Sequence, residues 1–293
     1  MSPSAEIYGG NRVQAQAVSP DWKRSLGAAL MLARREWVRF FRQPFRVIAA
    51  LGQPILFWIL FGTGLHGAFR GNATDENFMT YFLPGTAALI LLFTAIFSTI
   101  SIIEDRREGF LQGVLVSPTS RWAIVLGKSL GGAAIAWAQA VFFLALAYAF
   151  GALPKEVSLL ALGAFLAIGS LGITCLGVCF AWPMDSTQSY HAAMNLVLLP
   201  MWLLSGAFFP IPSLVASQPV GQWLLHWTMR CNPMTYIVAG IRHCMHGSSE
   251  IATQNGTWVP SSLTSWAVAM LFAVLVSGVA TWLVQRRQRG ELQ

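Results

Sequence analysis

The chain has 293 residues, of which 55% are hydrophobic and only 11% charged, against about 25% charged in soluble domains. A soluble fold of this length cannot hide so much apolar side chain, so an integral membrane protein is the class that fits. The formal charge of +7 matters by its placement, and four cysteines are too few for a disulfide scaffold.

Residues 1–21 are small and polar, without the apolar core or cleavage pattern of a signal peptide, and read as a disordered tail. Residues 22–43 place Trp22, Leu26, Leu30, Ala33, Trp37 and Phe40 at three- and four-residue steps, with Arg35, Arg39 and Arg42 on another face. This predicts a basic amphipathic helix along a membrane interface, its cations toward anionic headgroups. Pro44 breaks it. The helix reads as a topological anchor, and also as a lever between a cytoplasmic partner and the first span.

A span needs about 20 apolar residues, and uncharged runs occur at 47–69, 77–103, 129–154, 157–184, 186–229 and 251–285. The run 186–229 is long enough for two. With six spans, fifteen of the 19 Lys and Arg fall on one side, and only Arg70, Lys155, Arg230 and Arg242 on the other. Positive charge stays in the cytoplasm, which places both termini and the 104–121 loop there. A seventh span would export Arg286, Arg287 and Arg289 and would carry Pro212 and Pro219. The expectation is therefore an all-α integral membrane protein with one transmembrane domain over 22–285. Its spans lie at 46–66, 79–103, 122–150, 158–181, 188–208 and 261–284, with a tail at 286–293. Between the last two spans, an external segment at 209–250 dips back into the outer leaflet, which is tolerable only where it packs on protein or lines a cavity. Gly127 with Gly131, Gly132 with Ala136, and Gly163 with Ala167 favour close helix packing.

Gly127-Lys128-Ser129 looks like the end of a phosphate-binding loop, but Trp122 stands where that loop needs its first glycine, and no strand precedes it. Lys128 is expected to snorkel to the interface instead. No dinucleotide, zinc-protease, Cys-x-x-Cys or nucleophile-elbow motif occurs. No carboxylate lies inside an expected span, which argues against an ion-coupled carrier, and His191 is a single interfacial histidine. The external segment holds His226, Met229, Cys231, Met234, His243, Cys244, Met245 and His246. These are soft donors suited to copper or zinc, but their spacing matches no standard site, so no metal is assigned. A Cys231–Cys244 disulfide stays open on the oxidising side. Asn72-Ala-Thr74 and Asn255-Gly-Thr257 fit the glycosylation triplet in external loops.

The stretch Glu104 to Glu108 carries five charges in a row, a compact knob below the second span. The apolar segment Phe110 to Val116 follows; Ser117-Pro118 ends it, and Ser120 is placed to cap the third span. Physical reasoning alone leaves both a solvated loop and a force-transmitting piece open. The run Glu104, Arg107, Glu108, Gly109, then Ser117-Pro118, Arg121 and Leu126-Gly127-Lys128, resembles the signature loop of type-2 ABC exporter permeases. Drug-resistance and lipo-oligosaccharide (nodulation-factor) export members of that family resemble it in these motifs. LSGAFFPIP at 204–212 and NPMTYIVAGIR at 232–242 match as well, and the resemblance runs from about Trp22 to the end of the last span.

The resemblance implies that the 104–121 loop is a coupling helix docking on a separate ATP-binding cassette subunit through Glu104, Arg107 and Glu108, with Arg121 assisting. It implies a homo- or heterodimer of permeases, ATP and magnesium held by the partner subunit alone, and export of an amphipathic drug, lipid or lipid-linked saccharide across a bacterial inner membrane. The chain would then be a transport subunit and not itself an enzyme. No nucleic acid is implied. Gln53, Phe57, Trp58, Gln139, Asn195 and Trp202 are candidates for the substrate path. Phe208, Phe209, Pro210, Asn232 and Pro233 are candidates for the external gate. Phe110 departs from the small residue common in the family at its position, and Gln112 from an acidic one. The competing readings are an ATP-independent carrier and a membrane assembly or metal-handling factor.

Overall fold

The computed structural model describes residues 22–64, 78–116, 120–153, 157–213, 219–251 and 257–286. The expected N-terminal tail, Arg70, the Asn72 triplet, Ser117-Pro118, Lys155, Asn255 and the tail beyond Arg286 lie outside them. The described chain is helical. Helix α1 is Trp22–Phe41, α2 Pro44–Gly64, α3 Phe78–Arg107, α4 Phe110–Val116, α5 Arg121–Ala149, α6 Leu159–Ala181, α7 Thr187–Trp202, α8 Val220–Cys231, α9 Pro233–Ile251 and α10 Ser262–Arg286. No strand forms among these residues, and an isolated antiparallel bridge joins Pro212 to Thr257.

Among the described residues, five helices are long and apolar enough to cross a membrane: α2, α3, α5, α6 and α10. The span expected at 188–208 takes a different form. Its α-helix ends at Trp202 and continues as a π-helical turn, Leu203–Ala207. Pro200 withholds one backbone donor from the last turn, and Gly206 takes φ +77°, a left-handed conformation that glycine adopts without a Cβ penalty.

Helix α3 is the axis of the bundle. Its apolar length is buried on every side, with Phe82, Leu83, Leu89, Ile90 and Leu91 fully enclosed, by α2, α5, α6, α7 and α9. Polar bonds cross this interior. Thr94 bonds Gln139 on α5, and the Thr99 and Tyr190 hydroxyls meet at 2.6 Å between α3 and α7. The outer faces of α2, α7 and α10 carry exposed Ile48, Leu56, Leu196, Leu271 and Val274.

Helix α1 packs along α5 with a constant offset of 95 residues: Ser25 meets Ser120, Leu32 meets Gly127, and Glu36 meets Gly131. The two helices therefore run parallel. A Cβ on Gly127 would stand 2.6 Å from the Ala29 carbonyl oxygen, and one on Gly131 2.8 Å from the Glu36 Cβ. These glycines let two backbones touch. Gly132 serves α3 and α6 in the same way, meeting Ser98 and Thr174, whereas a Cβ on Gly163 would meet no atom of the described residues within 4 Å, so no close backbone approach depends on it among them. The face of α1 that docks is Ser25, Ala29, Leu32, Glu36 and Phe40. Trp22, Leu26, Leu30 and Trp37, the apolar stripe expected along a membrane interface, point outward. Ser120 does not cap α5 with its side chain; its hydroxyl bonds Ser25 at 2.5 Å.

Gly127→Val should overpack the α1–α5 contact and cost about 1–3 kcal/mol, read as a lowered unfolding temperature in detergent. Gly163→Ala should be neutral or stabilising by up to about 1 kcal/mol. Equal effects at the two positions would contradict the packing described.

Candidate functional site: the ion-paired base of the bundle

At the end of α3 the helix passes its apolar stretch and reaches Glu104 and Asp105. The Asp105 side chain is fully buried. A carboxylate there has about four lone-pair sites to satisfy, and four donors reach it. Arg35 forks onto both oxygens at 2.8 Å, Arg39 adds a bond at 2.7 Å, and Lys128 bonds Oδ2. Lys128 is buried as well. Its three protons go to Asp105, to Glu36 at 2.5 Å and to Ser101 at 3.2 Å. The expected snorkelling does not occur, because the ammonium finds two carboxylates inside the protein. The bond to Asp105 raises the Arg35 pKa above its ordinary value, against the opposing effect of burial.

The network continues outward. Arg39 also bonds Glu104 at 2.9 Å and lies 3.7 Å from Glu108, and Arg46 at the start of α2 bonds Glu104 at 3.1 Å. Four cations and four carboxylates, from α1, α2, α3, α5 and the α3–α4 turn, thus neutralise one another. The expected free knob of five charges is corrected accordingly. Glu104 and Asp105 turn inward to α1. Arg106 bonds the carbonyls of Trp182 at 2.6 Å and Met184 at 3.2 Å, and Arg107 bonds that of Asp185 at 3.1 Å, so both hold the chain after α6. Arg107 and Glu108 keep exposed side chains. Arg121 bonds the Gln285 carbonyl at 3.1 Å, a cation on the negative end of α10.

Gly109, at φ +76°, reverses the chain after α3. Phe110 then lies beneath Arg35, whose guanidinium carbon is 3.8 Å from the ring centroid. This cation–π contact gives the departure at Phe110 a physical role: it ties α4 to α1. Leu111 is buried, while Gln112 and Gly113 are exposed.

At the opposite end, Asn232 is a joint. Its amide donates to the Met201 and Leu204 carbonyls at 2.5 and 3.1 Å, and its Oδ1 accepts from the Met234 amide at 3.0 Å. Pro233 opens α9 at the position where a missing N–H costs nothing. Phe208 packs its ring against Phe61, Phe82 and Trp202, and Phe209 and Pro210 are exposed. Cys231 and Cys244 are free thiols, one exposed and one buried, and burial pushes the Cys244 thiol up to about 11. Met229, Met234 and Met245 are core residues. His226 and His243 donate to the Pro212 and Pro260 carbonyls at 2.7 and 2.8 Å. Among the described residues, no three His, Cys, Asp or Glu converge as a metal site.

The model of the ABC-2 type transporter family matches residues 28–246, from α1 through the base network to α9. The chain belongs to the ABC-2 type transporter family. Similar chains include one named as transport permease ycf38 in Cyanophora paradoxa, 30% identical over 75% of this chain and 74% of the relative. A chain named as multidrug ABC transporter permease YbhR in Escherichia coli K12 is 26% identical over 72% of this chain and 54% of the relative. Nodulation protein J of Rhizobium leguminosarum bv. viciae is 27% identical over 69% and 75%.

In this ABC-2 permease the six path candidates do not share one surface. Trp58 and Trp202 are buried and donate to the Met79 and Gly85 carbonyls at 3.0 and 2.9 Å, and Gln139 is buried on Thr94. Phe57 is half-buried, and Gln53 and Asn195 are exposed among apolar neighbours. Sequence reasoning missed Glu36, Asp105 and Lys128 as a set. The available signal was Glu36 at helical spacing from the small residues Ser25 and Ala29, together with the glycine pair Gly127 and Gly131 that has Lys128 beside it.

Lys128→Met should leave Glu36 and Asp105 short of a donor and cost about 3–5 kcal/mol. Adding Glu36→Leu should recover at least half of that loss, measured by thermal unfolding of the single and double variants. Strictly additive losses would show that the two groups do not interact.

Proposed function

We propose that this chain is the membrane-spanning permease subunit of an ATP-binding cassette exporter, moving an amphipathic organic molecule with energy from a separate ATPase subunit. Family membership supports the transport role, and the observation that carries the mechanism is the seating of α4. A seven-residue helix is anchored inward through Leu111 and through Phe110 on Arg35, with Arg107 and Glu108 outward. A push on that outer face reaches α1, α3 and α5 together through the ion pairs.

The α7 helix and its π turn together make a sixth crossing in this reading. The 16 residues of α7 span about 24 Å at helical rise, and the kinked turn Leu203–Ala207 carries the chain the rest of the way. Six crossings place both termini and α4 in the cytoplasm, in keeping with the positive-inside rule. Helices α8 and α9 are then the external segment, hinged at Asn232. A second permease covers the faces of α2 and α7 that expose Gln53 and Asn195, since a lone amide in hydrocarbon seeks a partner helix. The substrate passes along that seam beside Phe57. Phosphoryl chemistry, with its ATP and magnesium, resides in the partner.

Glu108→Lys tests the docking assignment with little risk to the fold, because this carboxylate is mostly exposed. After co-expression with its cassette ATPase subunit, the variant should unfold at the wild-type temperature yet lose at least about tenfold of permease-stimulated ATP hydrolysis, an effect of about 1.4 kcal/mol. Unchanged stimulation would remove α4 from the coupling role.

A further inference from the structure

The outer side of α1 is not neutralised as its inner side is. An open groove of about 640 Å3 runs along it, lined by Met31, Arg34, Arg35, Val38, Arg39, Arg42, Gln43 and Glu108. Four guanidinium groups face it against one carboxylate. Arg35 and Arg39 are already engaged with Asp105 and Glu104. Arg34 and Arg42 are exposed and form no ion pair among the described residues. They flank Val38 at four-residue spacing, so all three lie on one line of the helix. Exposed apolar side chains border this basic line: Leu30, Met31, Trp37, Val38 and Phe41 on α1, then Phe45 on α2.

We infer that this groove binds the headgroup phosphate of an anionic phospholipid, held by Arg34 and Arg42 with an acyl chain along Val38 and Phe41. Two features select a lipid over an acidic protein surface. Guanidinium forks match phosphate oxygens in pairs. The apolar residues interleaved with the arginines also need an apolar occupant, and one amphiphile supplies both halves. A row of cations bordered by Trp37 and Phe41 further matches the composition of an interfacial segment. The lipid neutralises cations that the internal network leaves over, on the same helix that the network anchors. This rests on the chain being a membrane permease, but not on α4 being the coupling element.

The test uses the purified full chain in detergent, titrated with phosphatidylglycerol, phosphatidylcholine, inorganic phosphate or glycerol 3-phosphate, with thermal unfolding and native mass spectrometry as readouts. Phosphatidylglycerol should raise the unfolding temperature and be retained as a bound lipid, whereas phosphatidylcholine and both soluble phosphates should do neither. The double variant Arg34→Gln/Arg42→Gln should match wild type in phosphatidylcholine but bind phosphatidylglycerol about 10- to 50-fold more weakly. Undiminished phosphatidylglycerol binding by that variant would overturn the site. A shift reproduced by inorganic phosphate would overturn the lipid assignment. Absence of any lipid effect, with loss of ATPase association in the double variant, would assign the groove to a protein partner instead. Loss of ATPase stimulation in Glu108→Lys is read separately, so failure of the coupling reading and failure of the lipid site are distinguishable.

Discussion

A carboxylate stripped of water must be answered by donors, and at Asp105 the donors come from two other helices. Arg35 and Arg39 arrive from α1 and Lys128 from α5. None of the three is free to leave: removing any one strands charge in an interior where isolated ions are costly. This requirement fixes α1 against α3 and α5 more firmly than its apolar contacts alone would. It also explains why a helix with so many large apolar residues turns most of them away from the protein.

The backbone geometry serves the same requirement. Lys128 reaches Glu36 and Asp105 because α1 lies in backbone contact with α5, and the contact depends on Gly127 and Gly131. The parallel alignment carries every turn of α1 past a matching turn of α5, so the ion pairs sit on a rigid double helix pair. Helix α4 is tied to α1 by Phe110 and joined to α3 through Gly109. A short helix with an apolar inner side and charged outer tip, joined to α3 through a left-handed glycine, is the element to which the proposed coupling role falls. At the far end Asn232 performs a related task by neutral bonds, closing the π turn and starting α9 with one side chain.

Much of the architecture was legible because hydropathy along the chain is a one-dimensional signal. The apolar runs became α2, α3, α5, α6 and α10, and the amphipathic segment became α1. What failed was lateral information. The periodicity of Trp22, Leu26, Leu30 and Trp37 marked a face toward a membrane interface, but not which residues dock α1 on α5. Small residues such as Ser25 and Ala29 approach the neighbouring backbone while the large ones point away from the protein. Lys128 was assigned to the interface because a sequence shows how deep a charge lies in a helix, not which carboxylates stand across from it. The fifth apolar run was continuous in composition, but Pro200 and Gly206 divide it into a helix and a wide turn. The His, Met and Cys residues at 226–246 looked like a donor cluster only while they were counted along the chain.

The central claim is that α1 and α5 move as one body, locked at the base by buried ions. Ser25→Cys/Ser120→Cys, in a chain whose four native cysteines are replaced, tests it directly, since the two hydroxyl oxygens stand 2.5 Å apart. The account predicts that the disulfide forms readily and that the cross-linked permease, assembled with its ATPase, retains stimulated ATP hydrolysis at the level of the reduced form. Hydrolysis that is lost on cross-linking and restored by reductant would show that the helices must part during the cycle, and would contradict it.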